Sequence, residues 1–572
     1  MSVRDSLLIG QLLIEEGLIT PEQLEAGLKE QKKTGSFVCQ ALIKLGFISE
    51  EKALTVLARK LEIPYIKLKD IDIDSLIIQK VPPKFASHYK IIPVDFKDNV
   101  LVIAMTDPLD IRTLDDLRLL LGIEVKGALA SEIGIQEAIR KYYGVGAETL
   151  ERMIAEKPAQ ESLVSVTGKV EDLDGMAEDA SIIKFVNQIL QEAIKDRATD
   201  LHLEPFQDEL RVRFRIDGIL YDIHIPETIK YFHPAIVSRI KIMAGLNIAE
   251  RRLPQDGRIK IKVVDYELDL RVSVIPTVFG EAVQIRVLSQ GSFLELEKIG
   301  LAADELRIIE SVITRPHGVI FVTGPTGSGK STTLYAALAR INSNAVKIIT
   351  IEDPVEYQLR GVNQIQVNAQ IGFYFATALR HMLRHDPDVI MVGEVRDYET
   401  AEIAIRSSLT GHLVFSTLHT NDAAGAVTRL LDMGVEPFLV SSSLECLIAQ
   451  RLVRLICLKC KTVVKAGEKF LAEMRKDIDF DIKTAQIYEG KGCQECRFTG
   501  YRGRTGIHEI ILMSEKLREL ILSRSSSQQI KRQAITEGMR TLRQDGLRKV
   551  LAGLTTFSEV VRVTQQEELS ED

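Results

Sequence analysis

The fold of the second half of this chain is decided by one stretch, Gly324-Pro325-Thr326-Gly327-Ser328-Gly329-Lys330-Ser331-Thr332. A strand-like apolar run at residues 319–322 precedes it, and a helical pattern at residues 333–338 follows. A glycine-rich loop between a strand and a helix presents backbone N–H groups to phosphate oxygens, while a lysine reaches the β and γ phosphates and a hydroxyl binds magnesium. This P-loop predicts that Lys330 binds ATP and that Ser331 binds Mg²⁺.

Two further strand-like runs, residues 346–351 and 389–392, end in acidic clusters. The first leads into residues 352–356, which contain three carboxylates, and the second leads into Gly393 and Glu394. In a doubly wound parallel sheet the carboxyl ends of the strands meet at the ligand-binding edge. Hydrolysis needs one carboxylate to orient or deprotonate water and another to hold magnesium, whereas helix capping is the alternative role for a single acid. Two clusters after a P-loop favour a hydrolytic site.

A histidine is predicted at the same edge. The apolar run at residues 413–418 leads directly into His419. A polar side chain in this place can sense the γ phosphate, and a histidine that is satisfied within the fold is the alternative. The sequence leaves both roles open.

Four of the six cysteines are regularly spaced. Cys457 and Cys460 form one C-x-x-C pair, and Cys493 and Cys496 form another after 32 intervening residues. Such thiolates suit tetrahedral zinc, and four protein ligands leave no open position, so the predicted site is structural. Because the gap exceeds the usual zinc-ribbon spacing, a metal-free or redox pair remains the alternative. The other two cysteines, Cys39 and Cys446, are predicted core residues.

Length and composition limit the remaining possibilities. A chain of 572 residues exceeds what one hydrophobic core serves, so several domains are expected. The net charge of −7 provides no general attraction for nucleic acid or an anionic membrane, which favours protein partners. The N-terminus lacks the pattern of a secretory signal, and no run of about 18 apolar residues occurs. We therefore expect a cytoplasmic protein.

Sequence patterns divide the chain into five regions. In the first region, residues 11–20 recur at residues 40–49, and each copy reads as a short helix stopped by glycine and followed by a helix cap. In the region 181–295 an amphipathic helix precedes a hairpin that carries Arg211, Arg213 and Arg215 on one face. The predicted regions are a duplicated helical module at 1–60, an α/β subdomain at 61–145, a linker at 146–180, an α/β domain at 181–295, and an ATPase domain at 300–572 with a cysteine insert near 450–505 and a helical tail.

Taken together, these motifs make the chain similar to the secretion-motor ATPases of type II secretion and type IV pilus systems. The resemblance covers nearly the whole chain. It rests on Arg252-Leu253-Pro254-Gln255-Asp256-Gly257-Arg258, the P-loop, residues 351–356 as the aspartate box, Gly393-Glu394-Val395-Arg396-Asp397 as an atypical Walker B motif, and Ser416-Thr417-Leu418-His419-Thr420-Asn421 as the histidine box.

The resemblance implies a fold and a set of roles. The expected fold is a RecA-like P-loop NTPase core preceded by a PAS-like α/β domain and an N-terminal α-helical and α+β regulatory region. The family would act as a homohexamer with active sites between the 181–290 domain and the ATPase domain. In it Glu356 would activate water, Glu394 would act on magnesium, and four arginines would reach the phosphates: Arg271, Arg286, Arg380 and Arg384.

The resemblance also implies partners. The four-cysteine insert and the long N-terminus are typical of assembly and secretion motors rather than retraction motors. Pilus assembly through an inner-membrane platform protein is therefore the first expectation, and type II secretion is the alternative. Some relatives bind cyclic di-GMP through an Arg-Leu-Gly opening in the first copy of the duplicated module and a Leu-Gly in the second. The matching residues here are Leu8-Ile9-Gly10 and Val38-Cys39, so the arginine is absent and a cysteine replaces the second glycine, which leaves backbone contacts as the route for dinucleotide binding.

The sequence disfavours two functions of other classes, a nucleic-acid translocase and a non-hydrolysing scaffold. A nucleic-acid translocase on a RecA-like core is disfavoured by the acidic balance and by the lack of an aromatic-lined basic channel signal. A scaffold that binds ATP without hydrolysing it is disfavoured by the presence of Glu356 and Glu394.

Overall fold

The computed structural model describes residues 10–564 except residues 12, 35–37, 62, 108–109, 148, 150–179, 264–265, 289–294, 466 and 482–484. It separates into two compact units, Met1–Leu288 and Ser289–Asp572. Most of the predicted linker lies outside the described residues. Within the described part, no helix is long and apolar enough to cross a membrane.

The N-terminal duplication forms paired helical turns. Leu13 and Leu42 are fully buried at equivalent places, and Gly17 and Gly46 end the two turns with positive φ. Thr20 begins the following helix, where its hydroxyl accepts from the backbone N–H of Gln23 at 3.3 Å. The helices here are α1 Pro21–Thr34, α2 Val38–Lys44 and α3 Glu50–Leu61.

A small α/β layer follows. Its sheet has the order β1-β2-β3, in which the first pair is antiparallel and the second is parallel: β1 Ile92–Lys97, β2 Val100–Met105 and β3 Glu124–Leu129. The surrounding helices are α4 Ser75–Ile78, α5 Pro83–Tyr89, α6 Ile111–Leu121 and α7 Glu132–Tyr143. The apolar residues of the strands and helices share one core, as the alternating pattern predicts.

The rest of the first unit is a six-stranded antiparallel sheet with the order β6-β5-β4-β9-β8-β7: β4 Asp200–Pro205, β5 Leu210–Ile216, β6 Ile219–Ile223, β7 Gln255–Val263, β8 Tyr266–Thr277 and β9 Gly280–Leu288. Two helices pack on it, α8 Ala180–Lys195 and α9 His233–Ala244. Asp217 and Gly218 both have positive φ at the hairpin turn between β5 and β6. This is the turn that the Asp-Gly pair favours.

The second unit contains the strands β10 Gly318–Thr323, β11 Ile348–Glu352, β12 Asn363–Gln366, β13 Val389–Val392, β14 Leu413–Leu418, β15 Leu444–Ile456, β16 Lys461–Val464, β17 Ile487–Gly490 and β18 Tyr501–Leu512. Seven of them form one sheet with the order β12-β11-β13-β14-β10-β15-β18, parallel except for the last pair. Every residue of β10, β11, β13 and β14 is buried because helices cover both faces. The predicted α/β fold class is thereby confirmed.

The helices of this unit are α10 Ala303–Ile313, α11 Lys330–Ile341, α12 Phe375–Met382, α13 Tyr398–Leu409, α14 Ala423–Asp432, α15 Pro437–Ser443, α16 Glu468–Arg475, α17 Glu515–Leu522, α18 Ser527–Thr536, α19 Leu542–Leu551 and α20 Phe557–Val563. The cysteine insert is narrower than residues 450–505, because β15 continues to Ile456 and β18 begins at Tyr501. In it β16 and β17 pair as a separate two-stranded antiparallel sheet, with α16 between them in the chain. Met474 of the insert packs with Leu547 of the tail in one small core.

Candidate active site

The P-loop joins β10 to α11 at the carboxyl edge of the parallel sheet. Gly324, Gly327 and Gly329 all have positive φ, a conformation that side chains with Cβ rarely adopt. At Gly324 a Cβ would also lie 2.6 Å from the carbonyl oxygen of Gln450 on β15. The shape of the loop therefore requires all three glycines, and close packing on β15 adds a second requirement at Gly324 and Gly329.

Lys330 and Ser328 give the loop its chemistry. Lys330 Nζ donates to the carbonyl oxygens of Gly324 at 2.8 Å and Pro325 at 3.2 Å. Burial lowers the pKa of Lys330, and the nearby negative charge of Glu394 opposes that shift. The buried Ser328 hydroxyl has no hydrogen-bond partner among the described residues. The Lys330 ammonium and the unpaired Ser328 hydroxyl lie beside the N-terminus of α11, an arrangement that fits a phosphate group. Ser331 in the first turn of α11 is exposed and fits a magnesium ligand.

Gln450, which sequence reasoning missed, holds the loop in place. Its amide Nε2 donates to the Ser328 carbonyl oxygen at 2.9 Å, and its Oε1 accepts from the Thr333 hydroxyl at 2.6 Å. The Gln450 side chain is buried, and a Cβ on Gly329 would lie 2.8 Å from Nε2. One side chain on β15 thus connects the P-loop to the first turns of α11.

The first acidic cluster is organised by a buried carboxylate, Glu352. Its oxygens accept from Thr350 Oγ1 at 2.6 Å, from Gln364 Nε2 at 3.1 Å and from the hydroxyl of Tyr335 on α11. Burial raises the pKa of Glu352, while these hydrogen bonds oppose that shift. Because each of its oxygens is occupied by neighbouring side chains, Glu352 acts as a structural centre of the cluster.

Glu356 lies at the end of the turn that Glu352 begins. The Glu356 backbone N–H donates to the Tyr335 hydroxyl at 3.3 Å, and Gln364 Nε2 donates to the carbonyl oxygen of Tyr357 at 3.1 Å. The turn contains the cis peptide Asp353–Pro354. Glu356 itself is half-buried. The helix that follows the P-loop thereby fixes the backbone that carries Glu356.

Glu394 and His419 meet at the ends of neighbouring strands, as their positions predict. His419 Nε2 lies 3.2 Å from Glu394 Oε2, and Arg396 lies 2.6 Å from Glu394 Oε1. The Thr417 hydroxyl donates to the Gly393 carbonyl oxygen at 2.7 Å and fixes the two strand ends together. The Glu394 side chain is mostly buried, whereas about half of the His419 side chain is exposed. The pair can bind a ligand and exchange a proton at its exposed side.

The four predicted phosphate-binding arginines divide between the two units. Arg380 binds Glu399, and Arg384 donates to the Arg380 carbonyl oxygen at 2.9 Å. Among the described residues, neither donates a hydrogen bond to the P-loop. In the first unit Arg271 and Arg286 are paired across β8 and β9, and Arg286 Nε donates to Asp200 at 3.0 Å. A phosphate role for these arginines remains a prediction.

The basic face of the β5 hairpin is largely neutralised by neighbouring acids. Arg213 makes two 2.7 Å hydrogen bonds to Glu204, and Arg211 makes a 3.1 Å hydrogen bond from Nε to Glu209. Arg215 donates to the Gly218 carbonyl oxygen at 3.0 Å. The face therefore presents local ion pairs rather than unpaired charges.

The four regularly spaced cysteines converge. The Sγ distances are 3.7 Å between Cys457 and Cys493, 3.8 Å between Cys460 and Cys496, and 3.8 Å between Cys493 and Cys496. All four sulfurs lie within 4.8 Å of one another. Tetrahedral zinc with Zn–S bonds of about 2.3 Å would separate its sulfurs by about 3.8 Å, so the cluster fits this ion. Cys446 is fully buried as predicted, and the side chain of Cys39 lies outside the described residues.

Comparison with known proteins identifies the family. A family model described as Type II/IV secretion system protein matches residues 175–562, and one described as MshEN domain matches residues 61–149. The chain belongs to the type II/IV secretion system protein family. The predicted resemblance is confirmed, and the MshEN match falls on the small α/β layer of the first unit.

Two relatives of this family match over nearly the full length. The type IV pilus assembly ATPase PilB of Myxococcus xanthus is 46% identical over 557 residues, which cover 97% of this chain and 98% of that protein. The type II secretion system protein E of Xanthomonas campestris pv. campestris is 41% identical over 568 residues, with the same two coverages. The family and its relatives confirm the predicted activity: the chain is an ATP hydrolase.

A solved structure shows the same fold. The ATPase DotB of Legionella pneumophila has a TM-score of 0.51 and 20% sequence identity over 66% of this chain and 95% of that one. At this identity the likeness concerns the fold alone. It agrees with a RecA-like core in a member of the type II/IV secretion system protein family.

Proposed function

We propose that this chain is a homohexameric motor that hydrolyses ATP to drive pilin polymerisation in type IV pilus assembly. The observation that carries the proposal is the 46% identity to PilB of Myxococcus xanthus, which extends over 97% of this chain and includes its N-terminal domains. The motor would act on an inner-membrane platform protein. Its place would be the cytoplasmic side of that membrane, where it is held by protein partners and binds no nucleic acid.

The chemistry is assigned to the edge of the parallel sheet. The P-loop N–H groups and Lys330 would bind the phosphates, and Ser331 and Glu394 would hold magnesium directly or through its waters. Bound magnesium neutralises the charge that develops on the phosphate oxygens. Glu356 would take the proton of the attacking water, because Glu352 already has its oxygens occupied. His419 would sense whether the γ phosphate is present and would transmit that change to Glu394 through their direct contact.

The proposed hexamer would supply further positive charge to the bound phosphates. Arg271, Arg286, Arg380 and Arg384 are the proposed phosphate ligands, and each would have to exchange its present contact for a phosphate oxygen. An arginine that arrives by domain closure stabilises the transferring phosphoryl group, so closure and hydrolysis become coupled. That coupling would allow a ring to perform mechanical work.

The four-cysteine cluster is proposed to hold structural zinc. Four thiolates complete a tetrahedral shell, so the metal has no open position for chemistry. The cluster would hold together the two ends of the insert, because Cys457 and Cys460 lie between β15 and β16, and Cys493 and Cys496 lie between β17 and β18. Zinc would thereby fix the insert against β15.

Type II secretion is the second candidate. It is favoured by the 41% identity to protein E of Xanthomonas campestris, which also extends over 97% of this chain. Expression of this chain in a strain that lacks its pilus assembly ATPase, and separately in one that lacks its secretion ATPase, tests the choice. Restored pili alone support the proposal, and restored secretion alone favours the second candidate.

Cyclic di-GMP binding is a separate proposal for the N-terminal region. Leu8 and Ile9 lie outside the described residues. Val38 is almost fully buried, and a Cβ on Gly10 would lie 2.2 Å from Leu24, so both positions serve the helical packing. Any contact with the dinucleotide would therefore use backbone groups. Calorimetric titration of the full chain with cyclic di-GMP decides this point.

A further inference from the structure

Arg451 on β15 lies beside the P-loop. Ala449 of β15 is paired with Thr323, the last residue of β10, so Arg451 follows at the same carboxyl edge of the sheet. Its Nη1 is 3.5 Å from the Gln450 carbonyl oxygen, the atom against which Gly324 packs. Lys330 Nζ donates to the carbonyl oxygen of the same glycine at 2.8 Å. The contacts place two cations around the first glycine of the loop.

Hydrogen bonds hold one end of the Arg451 guanidinium, but its positive charge is not balanced by an ion pair among the described residues. Its Nη2 donates to the carbonyl oxygen and Oδ1 of Asn421 at 3.1 and 3.2 Å. It forms no salt bridge within the described part of the chain. The two nearest acids are already engaged, since Asp422 caps α14 and Glu509 accepts from the Ala423 backbone N–H at 2.9 Å.

Two half-buried cations placed together need an anion. Burial lowers the pKa of both side chains, and the nearby charge of Arg451 lowers the pKa of Lys330 further. Glu394 is the acid that partly offsets the lowered pKa of Lys330, but its two carboxylate oxygens already contact Arg396 and His419. A phosphate group would relieve this repulsion, and a planar guanidinium suits its oxygens.

We propose that Arg451 contacts the terminal phosphate of bound ATP from within the same chain. The inference rests on the proposed phosphate site at Lys330 and adds a ligand to it. The lysine of a P-loop reaches the β and γ phosphates. A second cation close to that lysine would therefore contact the γ phosphate, which ATP has and ADP lacks. Through Asn421 the same guanidinium connects the terminal phosphate to the loop that carries His419.

Calorimetric titration of the full chain with Mg²⁺ and either adenylyl imidodiphosphate or ADP tests this contact. Loss of a charge-assisted hydrogen bond in Arg451→Gln should weaken binding of the triphosphate analogue by about 10- to 100-fold and of ADP by less than about threefold. Arg451→Lys keeps the positive charge but loses the two-pronged guanidinium, so its affinity for the triphosphate analogue should lie between those of wild type and Arg451→Gln. Arg406→Gln, which removes an exposed arginine whose guanidinium pairs with Glu402, is the matched control.

The outcomes separate the two claims. Lys330→Ala must abolish tight binding of both nucleotides, and if it does not, the proposed phosphate site itself fails. If Lys330→Ala loses binding but Arg451→Gln binds the analogue like wild type, the inference about Arg451 is overturned. Equal weakening of analogue and ADP in Arg451→Gln, with an unchanged melting temperature, also overturns it.

Discussion

Replacement of Gln450 by leucine should weaken ATP binding even though this side chain is buried behind the loop. Leucine is close in size but removes the donor to the Ser328 carbonyl oxygen and the acceptor for the Thr333 hydroxyl. Two buried polar groups then lose their partners, at about 1–3 kcal/mol each, so the free energy of unfolding of this unit should fall by about 2–6 kcal/mol.

The effect on affinity has a separate origin. Without its bond to Gln450, the backbone around Ser328 has to be ordered when ATP binds. Ordering one residue costs about 1–2 kcal/mol, which raises the Kd for ATP by about 5- to 30-fold. Thr333→Val is the matched control, because it removes the other Gln450 bond and leaves the bond to the loop intact.

The assay combines calorimetric titration with ATP analogue and urea unfolding of the same proteins. Gln450→Leu should lose both affinity and stability, whereas Thr333→Val should lose stability with nearly unchanged affinity. If Gln450→Leu binds ATP within about twofold of wild type while its stability falls, β15 does not organise the loop and the reasoning is refuted.

Three further predictions concern the other parts of the site. Glu394→Gln should bind ATP but not hydrolyse it, and normal turnover would remove Glu394 from its proposed role. Tyr335→Phe should lower kcat about tenfold with little change in the ATP KM, because the Glu356 backbone loses its hydroxyl partner; an unchanged kcat would contradict this role. Cys457→Ser should release zinc and destabilise the insert, as measured by metal analysis and thermal unfolding, whereas full metal content would exclude the four-thiolate site.

The sequence predicts those parts of the site that depend on local patterns and strand ends. The P-loop is a contiguous motif, and the parallel order of β10, β13 and β14 brings Glu394 and His419 together once each is placed at the end of its strand. The cysteine cluster was also predictable, because metal-ligand spacing is visible without knowledge of the fold.

The remaining contacts depend on pairings that no local pattern shows. Gln450 meets Ser328 across 122 residues only because β15 is the neighbour of β10. Likewise, Arg213 is neutralised by Glu204 because β4 is the neighbour of β5 and its register places Glu204 one diagonal step from Arg213, opposite Arg211. The alternating arginines of the hairpin place all three on one face of β5, but they do not reveal the acidic partners of that face.

Hydrolysis of ATP by an assembled ring, with Glu356 as the base, is tested most directly by enzyme kinetics. Steady-state ATPase activity is measured against protein concentration, with the molar mass determined at each point and Glu356→Gln as the control. We expect specific activity to rise as hexamers form and the variant to show no turnover at any concentration. Full turnover by monomers would contradict the shared site, and turnover by Glu356→Gln would contradict the assigned base.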